Sequence, residues 1–272
     1  MIRTLSQLRR RELLKLAAVI LFAPLALRAA DSAPSVPREK FHLYLLIGQS
    51  NMAGRGIVET QDKQPHSRVL TLDKQGRWVP AVDPIHFDKP VAGVGLGTTF
   101  GRVMAEREPG VTIGLIPCAV GGTPIARWQP GADLYEAALK RARAAAPSGV
   151  FKGVLWHQGE SDSGKEETGK VYAAQLDAMI AAWRKDLAVA ELPVVVGQLG
   201  EFYVRGAGVK LVRAALETLP ARVKHTAFVP ATELNHKGDM VHFDAASYRE
   251  FGRRYAAAMV KLQGGDAGGR RP

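Results

Sequence analysis

His42-Leu43-Tyr44-Leu45-Leu46-Ile47-Gly48-Gln49-Ser50-Asn51-Met52-Ala53-Gly54 is an apolar run that stops at a glycine and passes into amide, hydroxyl and amide side chains. A short continuous apolar run bounded by turn residues reads as a strand buried on both faces. Where such a strand ends, the chain must turn sharply, and Ser50 stands at that turn between Gly48 and Gly54. A serine set between two glycines and two amides suits a displayed nucleophile, and it equally suits a polar turn. The rest of the chain has to separate these readings.

Downstream, apolar runs alternate with amphipathic stretches. Strands are expected at 41–47, 69–72, 112–116, 153–156, 194–198 and 227–229, and helices at 98–107, 133–146, 169–185, 209–219 and 247–262. Leu176, Met179, Ile180 and Trp183 recur at helical spacing, as do Tyr248, Phe251, Tyr255 and Met259. Alternation of this kind predicts an α/β domain with a mostly parallel sheet covered by helices on both faces. One domain, residues 41–263, accounts for it, and no internal repeat is present. Gly76 to Gly97 reads as a long irregular stretch that shapes a binding site. Gly93-Val94-Gly95-Leu96-Gly97 lies in it and is no dinucleotide fingerprint, because no strand leads directly into it.

The two ends lie outside this domain. Arg9-Arg10-Arg11-Glu12-Leu13-Leu14-Lys15 precedes an apolar run from Leu16 to Leu27, which is the layout of an export signal too short to serve as a comfortable membrane span. Arg10-Arg11-Glu12-Leu13-Leu14-Lys15 follows the twin-arginine pattern, with Arg9 where a small hydroxyl residue is preferred. Residues 1–30 are therefore expected to be a signal, 31–40 a linker and 264–272 a disordered tail. The mature domain would then be periplasmic or extracellular, with no stable membrane insertion after cleavage; Leu27-Arg28-Ala29 and Ala30-Asp31-Ser32 both fit a cleavage site imperfectly, so an uncleaved, membrane-tethered form is the alternative. The whole chain carries 37 basic and 26 acidic residues, net +11. Residues 1–30 hold six of the bases and one acid, which leaves 31 bases and 25 acids, or +6, for the remainder. The remaining bases are dispersed rather than interleaved with aromatics, which argues against a nucleic-acid partner. Cys118 is the only cysteine, so neither an intramolecular disulfide nor a cysteine metal site can form.

In open α/β sheets, ligands lie beyond the carboxyl ends of the strands, so the residues that follow each strand carry the chemistry. Those residues are Ser50, then Cys118-Ala119-Val120-Gly121-Gly122-Thr123, then His157-Gln158-Gly159-Glu160-Ser161-Asp162, and finally the loop from Asn235 to Asp244. A serine hydroxyl becomes nucleophilic when a base takes its proton and an acceptor orients that base. Asp239 and His242, three apart in a loop before a helix, have a spacing that lets one turn set the carboxylate against the imidazole. His157, at a strand end, is the rival base. Gly121-Gly122 offers backbone amides that a substrate can approach closely. Gln158 offers a side-chain amide, and the Ser50 N–H is a further oxyanion donor. His236, Asp239 and His242 lack any helix-borne metal pattern, so neither a metal nor a cofactor is expected.

Four blocks occur in order: Gly48-Gln49-Ser50-Asn51-Met52-Ala53-Gly54, Gly121-Gly122-Thr123-Pro124-Ile125-Ala126-Arg127-Trp128, Trp156-His157-Gln158-Gly159-Glu160-Ser161-Asp162 and Asp239-Met240-Val241-His242-Phe243. Together they resemble the sialate O-acetylesterase-like domain, carbohydrate esterase family 6, within the SGNH/GDSL hydrolases, and the likeness runs from about Phe41 to Leu262. The resemblance implies a three-layer α/β/α sandwich of flavodoxin-like build and serine-dependent removal of acetyl groups from sugars, of acetylxylan or sialate type. By its pattern Ser50 is the nucleophile, His242 the base and Asp239 its orienter, with Gly122 and Gln158 in the oxyanion hole. Gln158 replaces the asparagine of the wider superfamily. Glu160 is the competing acid. Arg55, Arg127 and Trp128 are candidates for the substrate wall, Trp128 through stacking on a sugar face. Two other functions fit the same residues: transfer of an acetyl group to a glycan through the same acyl-enzyme, and carbohydrate binding without catalysis.

Overall fold

A computed structural model of the chain describes residues 36–264, all of which fall within one compact unit. The expected signal, most of the linker and the tail lie outside these residues. The first strand, β1 (Phe41–Gly48), is buried along its whole length. Phe41, Leu43, Leu45 and Ile47 enter one hydrophobic cluster, and Tyr44 and Leu46 enter the other. That is the period-2 alternation of a strand with apolar layers on both sides.

The chain continues as α1 (Ser50–Ala53), β2 (Val69–Leu72), β3 (Trp78–Pro80), α2 (Leu96–Arg107), β4 (Thr112–Pro117) and α3 (Asp133–Ala145). It ends with β5 (Val150–His157), α4 (Glu166–Asp186), β6 (Val194–Gly197), α5 (Val209–Glu217), α6 (Leu219–Arg222), β7 (Thr226–Val229) and α7 (Ala245–Leu262). The seven strands form one sheet in the order β3-β2-β4-β1-β5-β6-β7, parallel except for β3. Tyr135 of α3, Leu176 of α4 and Val212 of α5 pack on the Leu45 face, and Phe100 of α2 and Tyr248, Phe251 and Tyr255 of α7 pack on the Tyr44 face. Helices therefore cover both faces, as expected from the alternation.

The irregular stretch departs from its sequence reading. Asp73 accepts from Gln75 N and Arg77 N and folds a turn that returns β3 antiparallel onto β2. Pro80, which cannot donate to a ladder, ends this edge strand. A bridge between Gly56 and Val94 then fastens the rest of the segment against the chain that follows Ser50. The connection from β1 leads to β2 on one side of the sheet, while β5 pairs with β1 on the other. The chain exits from β1, β4 and β5 thus meet at a point where the strand order reverses, which is where open sheets form ligand crevices.

Candidate active site

Ser50 is the first residue of α1, so its N–H is one of the groups in a first helical turn that has no intrahelical acceptor. The turn before it is fixed by Gly48, at φ 136°, where a Cβ would stand 2.1 Å from the His157 carbonyl oxygen. No other residue type fits there, and the close approach lets Gln49 N donate to that carbonyl at 3.0 Å. The glycine that interrupts the apolar run therefore binds the Ser50 turn to the exit of β5.

His242 Nε2 lies 3.0 Å from Ser50 Oγ, and its Nδ1 lies 2.7 Å from Asp239 Oδ2. The other carboxylate oxygen, Oδ1, accepts from Val241 N at 2.9 Å and from His242 N at 2.8 Å. Met240, between Asp239 and His242, takes a left-handed φ of 58°, which tightens the turn and brings the carboxylate onto the ring. Burial pushes the Asp239 carboxyl up, but the two N–H groups and the imidazole outweigh it and hold the group well below the usual carboxylate range. Asp239 is therefore charged at neutral pH and accepts from Nδ1–H, which leaves the Nε2 lone pair facing the Ser50 hydroxyl. The loop is closed by the bridge between His236 and Phe243 and by Lys237 N donating to the His242 carbonyl at 3.0 Å. Asp244 caps α7 by accepting from Ser247 N at 2.7 Å.

Glu160 lies elsewhere, buried and accepting from Asn51 Nδ2 at 2.5 Å. Burial pushes its carboxyl up to about 7, against the lowering effect of that bond. His157 is fully buried, with Nδ1 3.1 Å from the Tyr255 hydroxyl, and burial lowers it to about 3. It therefore stays neutral and packs against Phe243 and Phe251 instead of facing Ser50 as a base.

Beside Ser50 stands the Gly121-Gly122 turn, with Gly122 at φ 79°. A Cβ on Gly121 would meet Ser50 Cβ at 3.3 Å, so this backbone lies directly against the serine. Gly121 N–H donates to Asp88 Oδ2 at 2.9 Å, and the same oxygen accepts from Arg55 Nη2 at 2.6 Å. Arg55 Nη1 also donates to the Gly54 carbonyl at 2.7 Å. Arg55 is thus a buried brace that ties Asp88 to the Gly54 carbonyl, and its pairing with Asp88 was not foreseen in a side chain expected at the substrate wall. Asp88 was not singled out from the sequence. It sits in the irregular stretch, and only folding brings it to Gly121.

Two other expected site residues are placed differently. Trp128 is fully buried, donating from Nε1 to Thr123 Oγ1 at 3.2 Å and packing edge-on against Trp156. It presents no ring face to a sugar. Gln158 is also fully buried, and its Nε2 donates to the Thr123 carbonyl at 2.9 Å and to Asp162 Oδ2 at 2.5 Å, with Gln49 Oε1 at 3.2 Å. An amide has two hydrogens, and these acceptors use both, so in this arrangement Gln158 ties the exits of β4 and β5 together instead of offering a donor to an oxyanion. Asp162 extends the tie by accepting from Ile125 N at 2.9 Å. Arg127 is exposed and ion-paired with Asp133 at the start of α3. Among the described residues no group of three or more His, Cys, Asp or Glu could hold a metal ion, and no helix is long and apolar enough to cross a membrane.

The family model for carbohydrate esterases of the sialic acid-specific acetylesterase type matches residues 40–261. A probable carbohydrate esterase of Arabidopsis thaliana is 34% identical over 238 residues, covering 80% of this chain and 90% of that protein. The X-ray structure of an Arabidopsis thaliana protein superposes with a TM-score of 0.75 at 32% identity, over 81% of this chain and 98% of that one. NanS shares the fold with a TM-score of 0.68 at 18% identity, over 84% and 98% of the two chains. A carbohydrate acetylesterase from Xanthomonas citri does so with a TM-score of 0.65 at 21% identity, over 82% of this chain and 57% of the other. With the family model spanning most of the chain, and with a sheet and site built at the strand exits as described, the chain belongs to the carbohydrate esterase family of sialic acid-specific acetylesterases.

Proposed function

We propose that the chain is an exported serine esterase that removes O-acetyl groups from carbohydrates through an acyl-enzyme on Ser50. The observation that carries this reading is the continuous line from Asp239 Oδ2 through His242 to Ser50 Oγ, with both contacts at hydrogen-bond length. In it, His242 Nε2 takes the Ser50 proton as Oγ bonds to the acetyl carbonyl carbon, and Asp239 stabilises the resulting imidazolium. The backbone N–H groups of Ser50 and Gly122 receive the negative oxygen, with the Gly121 peptide held by Asp88. A donor of this kind is typically worth about 3–4 kcal/mol of barrier. The carbon–oxygen bond to the sugar then breaks, and His242 returns the proton to the departing sugar oxygen. Water, deprotonated by the same nitrogen, attacks the acetyl-serine, and acetate and free Ser50 result. Export rests on the basic segment and short apolar run of residues 1–30.

Ser50→Ala should abolish acetate release from acetylated xylan and from p-nitrophenyl acetate while leaving the unfolding midpoint within a few degrees of wild type. Acetate release at the wild-type rate by that folded variant would refute the acyl-enzyme.

A further inference from the structure

The residue after the nucleophile has more to do than end a turn. Asn51 is fully buried, and both ends of its amide reach the loop that carries the base. Nδ2 donates to the Val241 carbonyl at 2.9 Å, and Oδ1 accepts from Phe243 N at 3.4 Å. Val241 and Phe243 are the chain neighbours of His242, so one side chain anchored beside Ser50 grips the main chain on both sides of the base. The amide is nearly symmetric in shape, and a flipped Asn51 would set donor against Phe243 N and acceptor against the Val241 carbonyl. Tyr248, which donates its hydroxyl to Oδ1 at 2.6 Å, can rotate that hydrogen to suit either orientation. Glu160 Oε1, an acceptor 2.5 Å from Nδ2, selects the observed one together with the Val241 carbonyl.

We propose that Asn51 and Glu160 form a positioning pair that sets His242 against Ser50, with Glu160 acting through the Asn51 amide and not as a charge on the imidazole. This rests on the serine-esterase reading above. What Glu160 supplies is an oriented acceptor in a sealed space. Its second oxygen and the neighbouring His157 Nε2 both lack a hydrogen-bond partner, and that nitrogen lies 3.9 Å from Oε1. Tyr255 donates its hydroxyl hydrogen to the Trp156 carbonyl, so His157 Nδ1 carries the proton toward Tyr255 and Nε2 is left as a bare acceptor. A glutamine at position 160 keeps the carbonyl that Asn51 needs and puts its NH2 in the place of Oε2, which has no hydrogen-bond partner to lose. The pair therefore requires the shape and acceptor of Glu160 and has no need of its charge.

The test compares Glu160→Gln, Glu160→Ala and Asn51→Asp with wild type, reading kcat and KM for p-nitrophenyl acetate and the rate at which a fluorophosphonate labels Ser50, followed by mass. Glu160→Gln should keep kcat and labelling within about threefold of wild type. Glu160→Ala should lower both by about 10–100-fold with KM within twofold, the size expected when a base is displaced by a fraction of an ångström to an ångström. Asn51→Asp, which keeps the shape but sets oxygen against Glu160 Oε1 and the Val241 carbonyl, should fall as far, and it preserves the test if Glu160→Ala does not fold. Loss of kcat in Glu160→Gln equal to that in Glu160→Ala overturns the proposal in favour of a required charge. Unchanged kcat and labelling in folded Glu160→Ala or Asn51→Asp overturns it as well. A wild-type protein that neither labels at Ser50 nor releases acetate overturns the esterase reading itself, and the pair with it.

Discussion

Glu160 should weaken the fold as the pH rises, and the size of the effect follows from where the residue sits. Its side chain is buried, and burial moves the carboxyl from 4.5 to about 7 even though Asn51 donates to it. A carboxyl whose pKa is higher folded than unfolded binds its proton more tightly in the native state, so its contribution is most favourable in acid. It declines from about pH 4.5 to about pH 7 and is flat beyond. A tenfold change in proton affinity is worth about 1.4 kcal/mol, so the decline amounts to about 3 kcal/mol. Other groups titrate in the same range and would blur a wild-type curve. Burial also raises Asp83 to about 7, which adds a decline of the same sign, and it lowers His157 and His86 to about 3, which removes stability toward acid. The difference between wild type and Glu160→Gln cancels these. The glutamine carries no proton to lose and still accepts from Asn51. In urea unfolding, the two proteins should differ by less than about 1 kcal/mol at pH 4.5, and the variant should be about 2–3 kcal/mol more stable at pH 8. Parallel stability curves would refute the argument, and a wild type that gains on the variant above pH 7 would show that the ionised carboxylate is stabilised after all.

Two other variants address the reaction. Asp239→Asn keeps the turn but removes the charge opposite Nδ1 and allows the wrong tautomer. It should lower kcat by about 10³–10⁴-fold, and a smaller loss than Glu160→Gln suffers would make Glu160 the orienting acid. Gly121→Ala would put a methyl group 2.6 Å from Arg55 Nη2 and 3.0 Å from Asp88 Oδ2, displacing the carboxylate that holds the oxyanion turn. Its kcat should fall by about 10²–10³-fold with little change in KM, as for loss of one oxyanion donor, and wild-type kcat in this variant would remove the turn from the reaction.

What could be read from the sequence was whatever the backbone decides locally. The apolar run up to Ile47, the turn residues that follow each strand and the helical spacing of Leu176, Met179, Ile180 and Trp183 each carry their own period, and the sheet with its two helical layers follows from them. The contacts of Ser50 with His242 and of His242 with Asp239 were legible because strand exits and the last loop bring them to one edge, and a three-residue spacing is short enough to be closed by a single turn. Side chains whose surroundings come from distant segments were not legible in this way. Nothing local distinguishes a tryptophan that stacks on a sugar from Trp128, whose indole is claimed by Thr123 and Trp156. Arg55 looks like a free cation until Asp88, 33 residues away, neutralises it, and Asp88 itself lies in a stretch without periodicity.

Asn51 shows how the two kinds of information combine. Its position is local, since it must follow Ser50 into the first turn of α1. Its work is not, because the groups it holds are about 110 and 190 residues away, at Glu160 and at the two neighbours of His242. Ser50 and His242, 192 residues apart, need a common reference, or small shifts of one loop would open the 3.0 Å contact between them. A side chain directly beside the nucleophile is the shortest route to such a reference. Because that side chain is an amide, it can grip a carbonyl on one side of the histidine and an N–H on the other. An aspartate there would have no donor for the Val241 carbonyl, and an aliphatic residue would leave both main-chain groups buried and unpaired, at about 1–3 kcal/mol each. The chemistry of position 51 is therefore constrained by the main chain on both sides of His242, which only an amide satisfies at once.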